Sequence, residues 1–138
     1  MFLSAKLEYA CLALLELAAQ HRNSKPVRLS EITERHGIPQ RFLVQILLQL
    51  NSSGLVLSTR GASGGYQLSR PPDRITLADI LDAIEGSDAP KDRKIKPSVL
   101  SGMLQLVWKQ IAEARQQILT QTTLEDLLNS NTGVNYVI

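Results

Sequence analysis

Residues 54 to 70 read GLVLSTRGASGGYQLSR: two short β-type runs around a glycine-rich tip, an order that a chain can satisfy in few ways. The runs are 55–59 and 65–68, and the tip contains Arg60, Gly61, Gly64 and Gly65. Glycine supplies the positive φ angles of a tight hairpin. The tip carries an arginine and small residues but no large apolar group, so it is built to approach another surface closely. Upstream lie two helical patterns separated by His36-Gly37-Ile38-Pro39. Helix, glycine turn, helix and then a basic hairpin is the order of a winged helix-turn-helix, an architecture that sets one helix in a DNA major groove and the hairpin on the backbone or minor groove. The alternative is a hairpin that only covers a core.

At 138 residues the chain is long enough for one domain with a core, or one domain plus an oligomerisation arm. Fifteen basic residues against thirteen acidic leave a net charge of only +2, so an interface for polyanions must be local. Between Arg60 and Arg74 there are three arginines and one acid, whereas Asp79 to Asp88 holds four acids and no base. That segregation suits a DNA face and a face turned away from it. The single cysteine, Cys11, excludes an intrachain disulfide framework and fits a reducing cytosol. No signal-peptide order and no apolar run of transmembrane length is present, so the expectation is a cytoplasmic protein that does not engage a membrane.

The expected elements follow from periodicity and breakers. Residues 4–21 form a helix capped by Ser4, with Leu7, Ala10, Cys11, Leu14, Leu15 and Ala18 at helical spacing. Asn23 to Pro26 breaks it. Ser30 caps a short helix that runs through His36 and ends at Gly37, with Ile32 facing the core; Pro39 opens the next. That third helix, 40–52, has Phe42, Leu43, Ile46, Leu47 and Leu50 as its buried stripe and Gln40, Arg41, Val44, Gln45, Gln49 and Asn51 on the other face. Beyond the hairpin, Thr76 and Asp79 form a capping box for a helix that stops at Gly86. Residues 87–97 are a polar loop with two prolines, and a long helix spans 98–121. Leu100, Met103, Leu104, Val107, Ile111, Ile118 and Leu119 line one side of it, and Trp108 stands beside that stripe as an interface anchor. A stripe of this length without an equal partner in its own chain is read as an intermolecular seam. Thr123 caps a last helix, 124–128, and the tail ends in Tyr136-Val137-Ile138. The fold class is thus mainly α with a small β-hairpin, divided into a winged helix-turn-helix (1–86), a loop (87–97) and a dimerisation segment (98–138).

Other chemistries find little support. Gly61-Ala62-Ser63-Gly64 has neither the lysine of a phosphate-cradling loop nor the spacing of a nucleophile elbow. Asp79, Asp82 and Glu85 lie on one helix as a solvated face. His21 and His36 sit near helix ends, where an imidazolium offsets the dipole, and make no metal pattern. The expectation is a protein that is not an enzyme.

Several segments in order carry a family resemblance. They are Leu3 to Ala10, Ile38 to Leu47, Gly54-Leu55-Val56, Arg60 to Leu68, Ile75-Thr76-Leu77, Ile84-Glu85-Gly86 and Thr122 to Leu127. Through them the chain resembles the Rrf-two family of bacterial transcription regulators, over nearly its whole length. The resemblance implies a homodimeric repressor or activator whose long helix crosses to the partner and whose paired wings and recognition helices read a double-stranded DNA operator. It assigns Arg60 to the minor groove and Gln45 to the DNA-facing side of the recognition helix. The polar face of that helix adds Gln40, Arg41, Val44 and Gln49 toward the major groove, and Ser58, Thr59 and Ser63 around the wing can bind phosphates. Val44 stands where some members carry a base-reading glutamate; an aliphatic group can only pack on a thymine methyl, which implies a different operator. Cluster-binding members hold three cysteines in the loop that is cysteine-free here, and thiolates are what hold an iron–sulfur cluster. Glu8 matches a carboxylate ligand of some members and shares a helix face with Cys11, so an atypical cluster site there is the alternative to the expectation of no cofactor. The plan is closest to a clusterless cysteine-metabolism repressor controlled through an enzyme of cysteine synthesis, which makes such an enzyme a candidate partner. A winged helix that docks protein instead of DNA is the other alternative.

Overall fold

The computed structural model describes residues 4–86 and 95–130. Eight elements follow one another there: α1 (Ala5–Ala19), α2 (Leu29–His36), α3 (Gln40–Ser52), β1 (Val56–Thr59), β2 (Gly65–Leu68), α4 (Leu77–Glu85), α5 (Val99–Gln121) and α6 (Leu124–Asn129), with single 3-10 turns at His21–Asn23 and Pro72–Arg74. Most of the expected loop and the end of the tail lie outside the described residues.

α1 is the centre of the core. Leu7, Ala10, Leu14, Leu17 and Ala18 are buried on it, and α2, α3, α4 and α6 all pack against it. Ser4 caps it as expected, accepting from the Leu7 N–H, and its hydroxyl also donates to Glu85 Oε1 at 3.1 Å. The helix stops at Ala19, short of the expected residue 21, because polar Gln20 leaves helical geometry and the Asn23 N–H turns back to the Gln20 carbonyl.

α2 begins two residues before its expected start. Its capping position is Arg28, whose side chain makes no capping bond, so Ser30 lies inside the first turn. The cause is long-range: Val27 exchanges backbone hydrogen bonds with Tyr66, which fixes the chain extended up to Arg28. Gly37, at φ +64°, ends α2 with its N–H on the Thr33 carbonyl. On α3, Leu43, Ile46, Leu47 and Leu50 are fully buried as expected, but Phe42 is 44% exposed. It sits at the margin of the stripe, where its ring takes the Arg41 guanidinium carbon at 5.0 Å from its centroid.

β1 and β2 pair antiparallel, Val56 opposite Leu68 and Thr59 opposite Gly65. Leu55 lies just before the strand because its N–H closes onto the Leu50 carbonyl. The Thr76–Asp79 capping box forms, and Thr123–Asp126 repeats it at α6. The two stretches ahead of α4 and α6 are bridged, Leu77 N–H to the Thr122 carbonyl and Leu124 N–H to the Ile75 carbonyl. Fully buried Leu124 thereby joins α6 to the core around α1, although the sequence groups it with the arm. Asp79 and Glu85 are not simply solvated, since Asp79 also faces Arg70 at 3.6 Å and Glu85 accepts from Ser4. No helix among the described residues is long and apolar enough to cross a membrane.

Candidate nucleic-acid interface

The wing owes its shape to its glycines. At Gly61 the backbone stands at φ +104°, and the Gly64 N–H donates to the Gly61 carbonyl at 3.0 Å, closing a tight turn. A Cβ on Gly64 would lie 2.2 Å from the Thr59 carbonyl oxygen. This turn lifts Arg60, Ala62 and Ser63 into solvent.

A cleft of about 860 Å³ runs between the wing, α2 and the start of α3. It brings together Gln40, Ser58, Thr59 and Arg60 of the expected residues and adds Arg28, Thr33 and Glu34. Arg28 and Arg60 make the cleft cationic around one acid. Ser63 is exposed at the tip but does not line the cleft. Arg41 and Gln45 are exposed, and Val44 and Gln49 are half-buried. Gln45 borders a different, largely apolar cavity of about 360 Å³ with Lys6, Tyr9 and Phe42, between α1 and α3. α3 therefore shows two faces to solvent, one beside the wing and one beside α1.

Sequence reasoning passed over three groups here. Arg28 donates from Nη2 to the Ala62 carbonyl at 2.7 Å, across 34 residues. Leu48 on α3 is 62% exposed. Glu16, a buried carboxylate of α1, binds Arg35 Nη1 at 2.7 Å and faces His36 Nε2 at 3.1 Å, fastening α2 to α1. His36 thus faces a carboxylate as well as its helix end. Only the basic residue before a helix start hinted at Arg28; nothing local marks Glu16.

The arm differs in kind. None of the 23 residues of α5 is buried. Leu100, Leu104, Val107, Ile111, Ala114 and Ile118 follow one another at spacings of four and three, the heptad seam of a coiled coil. Met103 and Trp108 flank it, both more than half exposed, while Leu119 is half-buried. Ser98 and Ser101 cap the helix reciprocally.

Cys11 is half-buried beside Glu8, which is exposed. Burial first and the Glu8 charge second push its thiol up to about 11. A thiol held protonated is a poor metal donor. Among the described residues no three His, Cys, Asp or Glu side chains group as ligands. With one cysteine in the whole sequence, the donor set does not fit an iron–sulfur cluster.

Residues 3–130 match the family described as "Rrf2: Iron-dependent Transcriptional regulator". The HTH-type transcriptional regulator CymR of Bacillus subtilis is 35% identical over 133 residues, covering 96% of this chain and 94% of that protein. The regulator IscR of Erwinia tasmaniensis is 34% identical over 134 residues, covering 94% and 80%. The solved structure of CymR, the global cysteine regulator of B. subtilis, superposes with a TM-score of 0.84 at 33% identity, covering 95% of this chain and 98% of that one.

Proposed function

The chain belongs to the Rrf2 family of DNA-binding transcription regulators, and we propose that it acts in that family as a homodimeric, sequence-specific repressor without an iron–sulfur cluster. α3 is the recognition helix. Gln40, Arg41, Val44, Gln45 and Gln49 face the major groove, where glutamine reads adenine and Val44 packs on a thymine methyl. Arg60 enters the minor groove from the wing, and Ser58, Thr59 and Ser63 bind phosphates. Two α5 helices pair along Leu100, Met103, Leu104, Val107, Trp108, Ile111 and Ile118, which doubles the wings and recognition helices over a two-fold symmetric site.

The observation that carries this reading is the shared cleft: Gln40 at the start of α3 and Arg60 on the wing line one cationic groove although 20 positions separate them in the chain. The cluster-free part rests on the protonated Cys11 and the lack of any second thiol. The test is selection of duplexes from a random-sequence pool by the full-length protein, with an absorption spectrum of the anaerobically purified sample. An enriched inverted repeat and a colourless protein are expected. A pool that stays random removes the sequence-specific reading, and a charge-transfer band removes the cluster-free one.

A further inference from the structure

Two consecutive residues fasten the wing to the body. Val27 exchanges two backbone hydrogen bonds with Tyr66, each 2.9 Å, and closes the base of the wing. The strand is pressed so close there that a Cβ on Gly65 would lie 2.4 Å from the Val27 carbonyl oxygen. Arg28 then reaches to the tip, where its guanidinium donates to the Ala62 carbonyl at 2.7 Å. Between these ties the wing is a ribbon of four residue pairs, too small to hold a fixed direction by itself. Arg28 stands at the head of α2, which packs on α3, so the tie relates the wing tip to the recognition helix through one rigid step.

We propose that Arg28 is a positioning residue for DNA recognition: through Ala62 it sets the angle of the wing against α3 and so the separation at which Arg60 and Gln40 meet one duplex. The inference rests on the DNA-reading assignment above and adds a residue and a role to it. Positioning and simple phosphate contact leave different signatures. A phosphate contact adds affinity for every sequence and steepens the salt dependence. A residue that fixes geometry contributes to the preferred sequence, because only there do both reading groups have partners.

The experiment uses full-length wild-type, Arg28→Ala and Arg28→Lys proteins, the duplex enriched by the wild type from a random pool, and a scrambled duplex of equal length and composition. Trypsin cleavage after Arg60 in the DNA-free proteins reports wing mobility independently. For Arg28→Ala we expect faster cleavage after Arg60 and a melting temperature lowered by no more than a few degrees. Affinity for the enriched duplex should fall roughly tenfold, the worth of one charge-assisted hydrogen bond, with less than about a twofold change on the scrambled duplex and an unchanged salt slope. Arg28→Lys, which keeps a donor on a long stem, should restore slow cleavage and specific affinity together; restoring one without the other overturns the link between wing angle and specificity. Equal loss on both duplexes with a shallower salt slope would make Arg28 a phosphate contact and overturn the proposal. Unchanged cleavage and an unchanged ratio would overturn it as well. If the wild type enriches no sequence, the DNA-reading assignment fails, and the cleavage comparison alone decides whether Arg28 holds the wing.

Discussion

The body around α1 and the α5 arm are made of similar side chains put to opposite uses. In the body Leu14, Leu43, Ile46, Leu47 and Leu50 lie within a percent of full burial. On the arm Leu104, Val107 and Ile111 are each about half exposed or more, at a spacing no less regular. Burying such a side chain is worth about 1.5–3 kcal/mol, so among the described residues the arm leaves a large favourable term unused. The difference teaches that periodicity announces a packing face without saying whose surface it meets. The body finds its partner surfaces in its own chain; for the arm, the proposed dimer assigns them to a second copy.

The sharpest way to break this comparison is to charge the arm. Leu104→Glu should cost about 3–5 kcal/mol of dimer stability, the range for an unpaired buried charge, and give monomers or unfolded chains in sedimentation. Leu14→Ala, a body change of about 2–5 kcal/mol, should lower the melting temperature equally at all protein concentrations. The wild-type melting temperature should rise with concentration, because a dimer is stabilised by mass action. A folded Leu104→Glu dimer would mean that α5 is covered by its own chain.

A smaller effect separates the wing from both regions. Arg60→Ala should weaken binding to the enriched duplex by about 1–3 kcal/mol with an unchanged circular dichroism spectrum, since the tip packs on little. A gel-shift titration without loss would remove the wing from DNA reading. Within the body, Glu16→Gln weakens the ties to Arg35 and His36 and should cost about 1–2 kcal/mol in urea denaturation, with faster amide exchange in α2.

The smallest effect concerns Cys11. Its folded thiol ionises near 11 instead of 9.0, so above 9.0 the unfolded chain is the more readily deprotonated state. The stability tied to this thiol is whole below pH 9.0 and is lost as pH rises through about 11. Cys11→Ser should therefore flatten the alkaline fall of the melting temperature and leave DNA affinity nearly unchanged. Loss of DNA binding in that variant would give Cys11 a sensing role.

What could be read along the chain was what short stretches decide. The Thr76–Asp79 box, the Gly37 stop and the glycine turn at the wing tip need no distant partner, and each formed where its residues stand. Ser30 matched a capping pattern but lost its place because Val27 is pinned by Tyr66, 39 positions away. Phe42 was misplaced because a 3.6-residue period gives the direction of a face and not its width. Arg28 and Glu16 escaped notice for the same reason as each other: their partners, Ala62 for one and Arg35 with His36 for the other, are met only once the fold has closed. Of the residues expected on the DNA face, the cleft brings together Gln40, Ser58, Thr59 and Arg60, and the roles of all nine stay part of the proposal.

The most direct test of the account is the stoichiometry of the complex on the enriched duplex, measured by sedimentation velocity with the wild-type chain. Two chains on one duplex that carries an inverted repeat is the expected result, with both α5 helices in a single seam. One chain per duplex, or two chains that bind independently at unrelated sequences, would contradict it.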